Sequence, residues 1–223
     1  MSFSPVVDPV LLGRVYDELL VGSFPSDELV SRTEFLSYRA SSVEVLVDLV
    51  SDELLGAAVL THHGDATMLT YLVASASARG RGTGGKLLTA ATERWRERGT
   101  SLFVAEVERP GREQHPDFGD ADRRLAFYGR HGALALDLPY FQPPVDEGQP
   151  RVPMLLVLLA ALPAALSDAG DQVADSTGLR GLFEDAIGLP EPDDLAATAL
   201  FAALTSPGAV KLYPLSEHHL VLP

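Results

Sequence analysis

The stretch "ARGRGTGGKLL" (78–88) fits three different glycine motifs, and the motif it belongs to decides the fold. As a P-loop, G-x-x-x-x-G-K-[ST], it supplies Gly80, Gly85 and Lys86, but Leu87 stands where a hydroxyl must ligate magnesium. Leu87 also falls on the apolar stripe of the segment that follows, so it reads as core. As a dinucleotide fingerprint, G-x-G-x-x-G, it supplies Gly80, Gly82 and Gly85, with Glu106 or Glu108 available as the ribose-binding acid. That fold sets its glycines directly after a strand of a parallel sheet. Here "ASASAR" (74–79) intervenes and the preceding strands read as a meander. As R-x-x-G-x-G, the stretch supplies Arg79, Gly82 and Gly84 between a strand and an amphipathic helix, and the context agrees. Glycines admit close approach to backbone N–H groups, and the unpaired N–H groups of a helix start attract an anion such as a pyrophosphate.

Outward from this loop the chain alternates in a consistent order. "DPVLLGRVYDELLVGSF" (8–24) carries apolar residues at helical spacing, and "SDELVSRTEFLSY" (26–38) is predicted as a second helix with Ser26 as its N-cap. Three β-rich runs follow, "VEVLVDLVS" (43–51), "ELLGAAVLTHH" (53–63) and "TMLTYLVAS" (67–75), joined by short turns in which Gly64 and Asp65 supply the turn chemistry. After the glycine loop, Leu87, Leu88, Ala91 and Trp95 share a helical face, and Gly99 is a suitable C-cap. "SLFVAEVERP" (101–110) is a strand, "HPDFGDADRRLAFYGRHGA" (115–133) a loop and a helix stopped by Gly132, and "LALDLPYFQPP" (134–144) and "VPMLLVLLA" (152–160) are two last strands. No repeat or low-complexity tract interrupts this order.

The 223 residues carry a formal charge of −14. That balance argues against nonspecific binding to nucleic acid or to an anionic membrane surface. Half of it lies beyond residue 163, where nine acids face only Arg180 and Lys211, so the acidity says little about an active site. The absence of cysteine removes disulfides, thiol nucleophiles and cysteine-ligated zinc, and makes a cytoplasmic setting the expectation. The N-terminus has no basic segment leading into an apolar run, unlike a signal peptide. The apolar run "MLLVLLAAL" (154–162) is far short of the roughly 20 residues a membrane span takes. His218 and His219 are adjacent, without the i, i+4 spacing of a helical metal site, so no metal is expected.

The R-x-x-G-x-G loop and the "FYGRHG" run (127–132) together resemble the GNAT superfamily of N-acyltransferases, over roughly residues 10 to 160. Phe127, Tyr128 and Gly132 match its second recognisable element. Two departures stand out. Ala121 replaces an asparagine the family often carries, which touches a cofactor contact, and Ala133 replaces a phenylalanine, which touches packing. The resemblance implies an α/β (α+β) fold with a mixed, mainly antiparallel sheet flanked by helices over residues 1–163. Residues 164–223 then form an acidic, partly helical C-terminal extension, with a helix near "EPDDLAATALFAAL" (191–204).

It also implies acetyl-CoA in a wedge between the third and fourth strands. The backbone of Val73 and Ala74 would pair with the pantetheine arm, and Arg79, Gly80, Arg81, Gly82, Thr83, Gly84 and Gly85 would cradle the pyrophosphate. Tyr128 matches the family's general acid. Glu106 alternates with Leu102 and Val104 on one strand face near the acceptor entrance and is the first candidate for general base, with Glu108 or water as substitutes. His62 and His63 end the second strand facing opposite sides, His115 precedes the second motif, and Tyr140 and Phe141 of "LPYFQPP" (138–144) stand where an acceptor pocket would form. The expected activity is acetyl transfer from acetyl-CoA to a primary amine of a small molecule by direct attack. The tail remains free to shape access or to form a homodimer contact. A noncatalytic acyl-CoA-binding module on the same fold and an NAD(P)-dependent oxidoreductase are the alternatives.

Overall fold

The computed structural model describes residues 3–38, 42–111, 118–144, 151–205 and 210–222. Helix α1 (Pro9–Arg14), capped by Asp8, runs on as a π-helical turn, Val15–Leu20. Helix α2 (Arg32–Ser37) starts at Ser31, whose hydroxyl accepts from the Glu34 N–H at 3.2 Å. The expected start at Ser26 is therefore corrected. The Glu28 carbonyl and the Val30 N–H are both bonded to the Tyr71 hydroxyl, which holds that segment out of a helix.

Strands β1 (Val43–Val50), β2 (Glu53–His63) and β3 (Ala66–Ala74) form the antiparallel meander. Ser51 and Asp52 both take positive φ at the first hairpin, as a tight two-residue turn requires. Helix α3 (Thr83–Arg98) leads to β4 (Leu102–Glu108) and α4 (Ala121–Arg130), and Gly99 and Gly132 terminate the two helices at positive φ. The region 134–144 divides into β5 (Leu134–Leu136) and β6 (Phe141–Gln142), where a single strand was expected. The N–H groups of Leu138 and Tyr140, on either side of Pro139, bond locally to Leu136 and Leu138 instead of to a neighbouring strand. Strand β7 (Val152–Ala161) follows.

Residues beyond 163 fold onto the same sheet. They form β8 (Gln172–Val173), α5 (Thr177–Ile187), α6 (Leu195–Thr205) and β9 (Val210–Pro214), the last pairing antiparallel with β5. The strand order is β1-β2-β3-β4-β7-β5-β9-β8, with β6 beside β7. Every pair is antiparallel except β3 with β4. This is not the parallel sheet that a dinucleotide fingerprint requires.

Alternation along the strands distributes the core. Phe103, Ala105 and Val107 face α3 and α4 together with Leu87, Leu88, Ala91 and Trp95, all buried as the helical spacing predicts. On the opposite face two groups of helices lie side by side. The N-terminal helices cover Val45, Val59, Tyr71 and Val73, while α5 and α6 cover Met68, Leu102, Val104 and Leu156. No helix among the described residues is long and apolar enough to cross a membrane.

Candidate active site

The site begins with an opening between two parallel strands. β3 pairs with β4 only from Ala66 to Leu69, opposite Leu102 to Ala105, although β3 continues to Ala74 and β4 to Glu108. At the parting point Thr70 is an extra residue in the β2–β3 ladder, where Val59 pairs with Tyr71 and Leu60 with Leu69. A bulge of this kind bends and twists its strand. It also resets the alternation, so that Met68 and Tyr71 both face the side bearing the N- and C-terminal helices.

At the end of β3 lies the glycine loop. Gly80 and Gly82 take φ of +75° and +85°, and Gly82 caps α3 without a side-chain hydrogen bond. The first helical bond runs from the Lys86 N–H to the Gly82 carbonyl at 3.0 Å. Among the described residues, the N–H groups of Thr83, Gly84 and Gly85 have no acceptor. The side chains of Arg79, Arg81 and Lys86 are exposed around them. Three N–H donors at a helix start ringed by cations can hold a pyrophosphate-sized anion. Gly56 of β2, which sequence reasoning passed over, makes this geometry fit. A Cβ there would lie 2.5 Å from the Val73 carbonyl oxygen and 2.9 Å from side chains of Thr83 and Leu87. A glycine inside an otherwise β-rich run is the signal that could have found it.

Between the diverging strands and the two helix groups lies a cavity of about 390 Å³. Glu106 and Glu108 of β4, Tyr128 and Arg124 of α4, Tyr71 of β3 and Tyr140 line part of it. Glu106 accepts a hydrogen bond from the Tyr140 hydroxyl. Burial drives its carboxyl up to about 7, against the opposing effect of that bond. Burial likewise raises the Tyr128 and Tyr140 hydroxyls well above the ordinary phenol range, so both are proton donors at neutral pH. Glu108 is held by the Arg124 guanidinium, which leaves Glu106 as the lining acid of β4 paired only with a neutral donor.

The other candidates separate. His63 faces the cavity, 3.4 Å from Asp185 of α5, with burial lowering its basicity. His62 points to the other side of β2, into a cluster with Glu44 at 3.6 Å and Thr67 at 3.1 Å, and plays no part in the cavity. Phe141 lies beneath the Arg151 guanidinium, 4.5 Å from its ring centre, while Tyr140 reaches Glu106. His218 bonds to the Leu215 carbonyl at 2.9 Å, and His115 lies outside the described residues. Sequence reasoning missed Tyr71 and the α5 residues Leu182 and Ala186, which also line the cavity.

Residues 14–117 match the family model described as the acetyltransferase (GNAT) family. Among solved structures, a GNAT-family protein from Bacteroides thetaiotaomicron is 26% identical, with a TM-score of 0.63 over 85% of this chain and 100% of its own. That share exceeds what residues 1–163 could make up, so the likeness reaches into the C-terminal segment. The ribosomal-protein-alanine N-acetyltransferase of Brucella melitensis shares the fold at 20% identity, with a TM-score of 0.53 over 73% of this chain and 100% of its own. An aminoglycoside 6'-N-acetyltransferase complexed with coenzyme A shares it at 17% identity, with a TM-score of 0.52 over 73% and 99%. No curated protein matches the chain.

Proposed function

From the match of residues 14–117 to the GNAT acetyltransferase family, we propose that the chain transfers an acetyl group from acetyl-CoA to a primary amine of a small molecule within a ternary complex. The observation that carries the proposal is that β3 and β4 part between a helix start with free N–H groups and a cavity lined by an acid and a base candidate. Val73 and Ala74 line the β3 edge of that opening and would pair with the pantetheine arm. The loop from Arg79 to Gly85 would hold the pyrophosphate.

In the reaction, the amine nitrogen attacks the thioester carbonyl carbon, the C–N bond forms, and the C–S bond breaks as the tetrahedral intermediate collapses. Glu106, titrating near neutrality, accepts the proton the amine loses. Tyr128 donates its hydroxyl proton to the departing sulfur. Desolvation of the cavity favours the neutral, nucleophilic form of the amine.

A panel of primary amines assayed for CoA release, alongside thermal shift with acetyl-CoA and with NAD(P), tests this reading. The expected result is stabilisation by acetyl-CoA, amine-dependent CoA release, and a Tyr128→Phe variant that binds acetyl-CoA normally while kcat falls by about 10²-fold or more. Stabilisation by NAD(P) alone, or acetyl-CoA binding with no turnover of any amine, would overturn it.

A further inference from the structure

We infer that the acceptor is a primary monoamine carried on a ring-sized apolar body, and that helix α5 of the C-terminal segment is the wall that selects it. The inference rests on the acetyl-transfer reading and deepens it. The cavity has two unlike ends. At β4 it presents the Glu106 carboxylate, held in place by the Tyr140 hydroxyl. At α5 it presents Leu182 and Ala186, joined by Met68 of β3 and Met154 of β7. Aromatic rings from Phe24 and Tyr71, whose centres are 4.9 Å apart, close the side beneath the N-terminal helices.

A single cation fits this distribution better than several. Glu108 is already neutralised by Arg124, and the other lining acids, Glu28 and Glu34, come from the N-terminal segment and not from the α5 end. A polyamine reaching toward α5 would set its second ammonium against leucine and methionine, where Asp185 of α5 is already bonded to His63, a costly arrangement. At about 390 Å³ the cavity lies at the small end of the roughly 300–1,000 Å³ typical of ligand sites. With the thioester end also inside, the remaining space suits one ring or a short alkyl chain.

Helix α5 is built as a fixed wall. Gly178, near its start, packs against the Asp65 carbonyl, where a Cβ would lie only 3.1 Å from the oxygen. Phe183 stacks on Tyr140 with centres 5.6 Å apart and meets Phe201 of α6 edge-on at 6.3 Å. Near the far end Asp185 pairs with His63. The same Tyr140 thus touches both the carboxylate and the α5 wall, which couples acceptor fit to the position of Glu106.

The test is acetyl transfer to 2-phenylethylamine, ethylamine and spermidine by the full chain and by Ala186→Trp and Leu182→Ala. Ala186 is exposed on the helix, so tryptophan there projects over the cavity without disturbing the buried face. The unaltered protein is expected to favour 2-phenylethylamine over both other amines by at least tenfold in kcat/KM. In Ala186→Trp the 2-phenylethylamine to ethylamine ratio should fall at least tenfold while the KM for acetyl-CoA stays within twofold. Leu182→Ala should shift preference toward a bulkier naphthyl-ethylamine. Preference for spermidine, or an Ala186→Trp variant in which the amine ratio is unchanged, overturns the inference while leaving acetyl transfer intact. CoA release with none of these amines but with another member of the wider panel also overturns the inference; no turnover of any amine in that panel would remove the acetyl-transfer reading itself, and this one with it.

Discussion

Glu106 and His62 are buried titratable groups displaced in opposite directions, and their opposition is measurable. Burial raises Glu106 from 4.5 to about 7, so between those values the folded chain holds a proton that the unfolded chain lacks, and stability falls as pH rises. Burial, reinforced by the Arg98 cation, lowers His62 from 6.5 to about 4. In that window the unfolded chain holds the extra proton, so stability is present above about 6.5 and is lost as pH falls toward 4. Between pH 4.5 and 6.5 the two slopes oppose each other. Thermal melts across this range should therefore show Glu106→Gln losing Tm on acidification more steeply than the parent, and His62→Gln less steeply; parallel curves for all three would contradict the assignment. The same carboxyl carries a kinetic expectation. As the proposed base, Glu106 should make kcat/KM rise through about pH 7, well below the pKa near 10 of a free amine. Glu106→Gln should abolish that limb and lower the rate by roughly 10²- to 10⁴-fold, read from a pH–rate profile.

At the scale of elements, the glycine loop separates stability from affinity. An aspartate at Gly84, which has ordinary helical φ and room for a Cβ 3.5 Å from the Phe127 ring, would stand in the first turn of α3, where its carboxylate lies beside the N–H groups now free for an anion and repels a pyrophosphate. Gly84→Asp is expected to lose acetyl-CoA binding by titration calorimetry while its Tm changes little. Gly56→Ala should behave differently, because its methyl group collides with strand backbone and costs about 1–3 kcal/mol of stability together with affinity. These elements were legible because their signals are local. Alternation marks β1 to β4, the Leu87, Leu88, Ala91 and Trp95 stripe marks α3, and Gly99 and Gly132 mark helix ends. The readings that failed depended on distant partners. Ser26 lost the N-cap because Tyr71, more than forty residues away in sequence, claims the backbone at Glu28 and Val30. The run 134–144 alternates like one strand, yet Pro139 and its local bonds break it. Helix α5 contains Gly178 and Gly181, and β9 is five residues long; neither carries enough intrinsic preference to be seen without the sheet it joins. Alternation points to Glu106 and the "LPYFQPP" run to Tyr140, whereas the bond between them and the α5 wall of the cavity emerge only from the fold.

At the scale of the whole molecule, the family pattern and the folding unit end at different places. The order of elements that resembles the family closes with β7, but β7 and β5 present Leu136, Leu156 and Leu158 toward α5 and α6, which bury them with Leu179, Leu182, Phe183, Leu200 and Phe201. Strand β9 supplies the ladder partners of Leu134 to Leu136, and the chain beyond it packs Leu215 against Gly129 of α4. Further contacts tie this end to the middle of the chain, where the Arg109 guanidinium donates to the Leu222 carbonyl and the Leu222 N–H to Asp137 at 3.0 Å. Cutting after residue 163 would therefore expose one face of the sheet, leave β5 as an unpaired edge and open the cavity at its α5 side. Uncovered apolar sheet of this kind self-associates. A chain ending at residue 163 is expected to elute as aggregate on size exclusion and to lack a cooperative thermal transition. Adding residues 164–223 as a separate polypeptide should restore neither property fully, since β9 must add to the β5 edge at the same time as α5 and α6 cover the sheet face. A monomeric, cooperatively melting fragment with unchanged acetyl-CoA affinity would instead make the C-terminal segment an appendage, and the cavity would then need another wall.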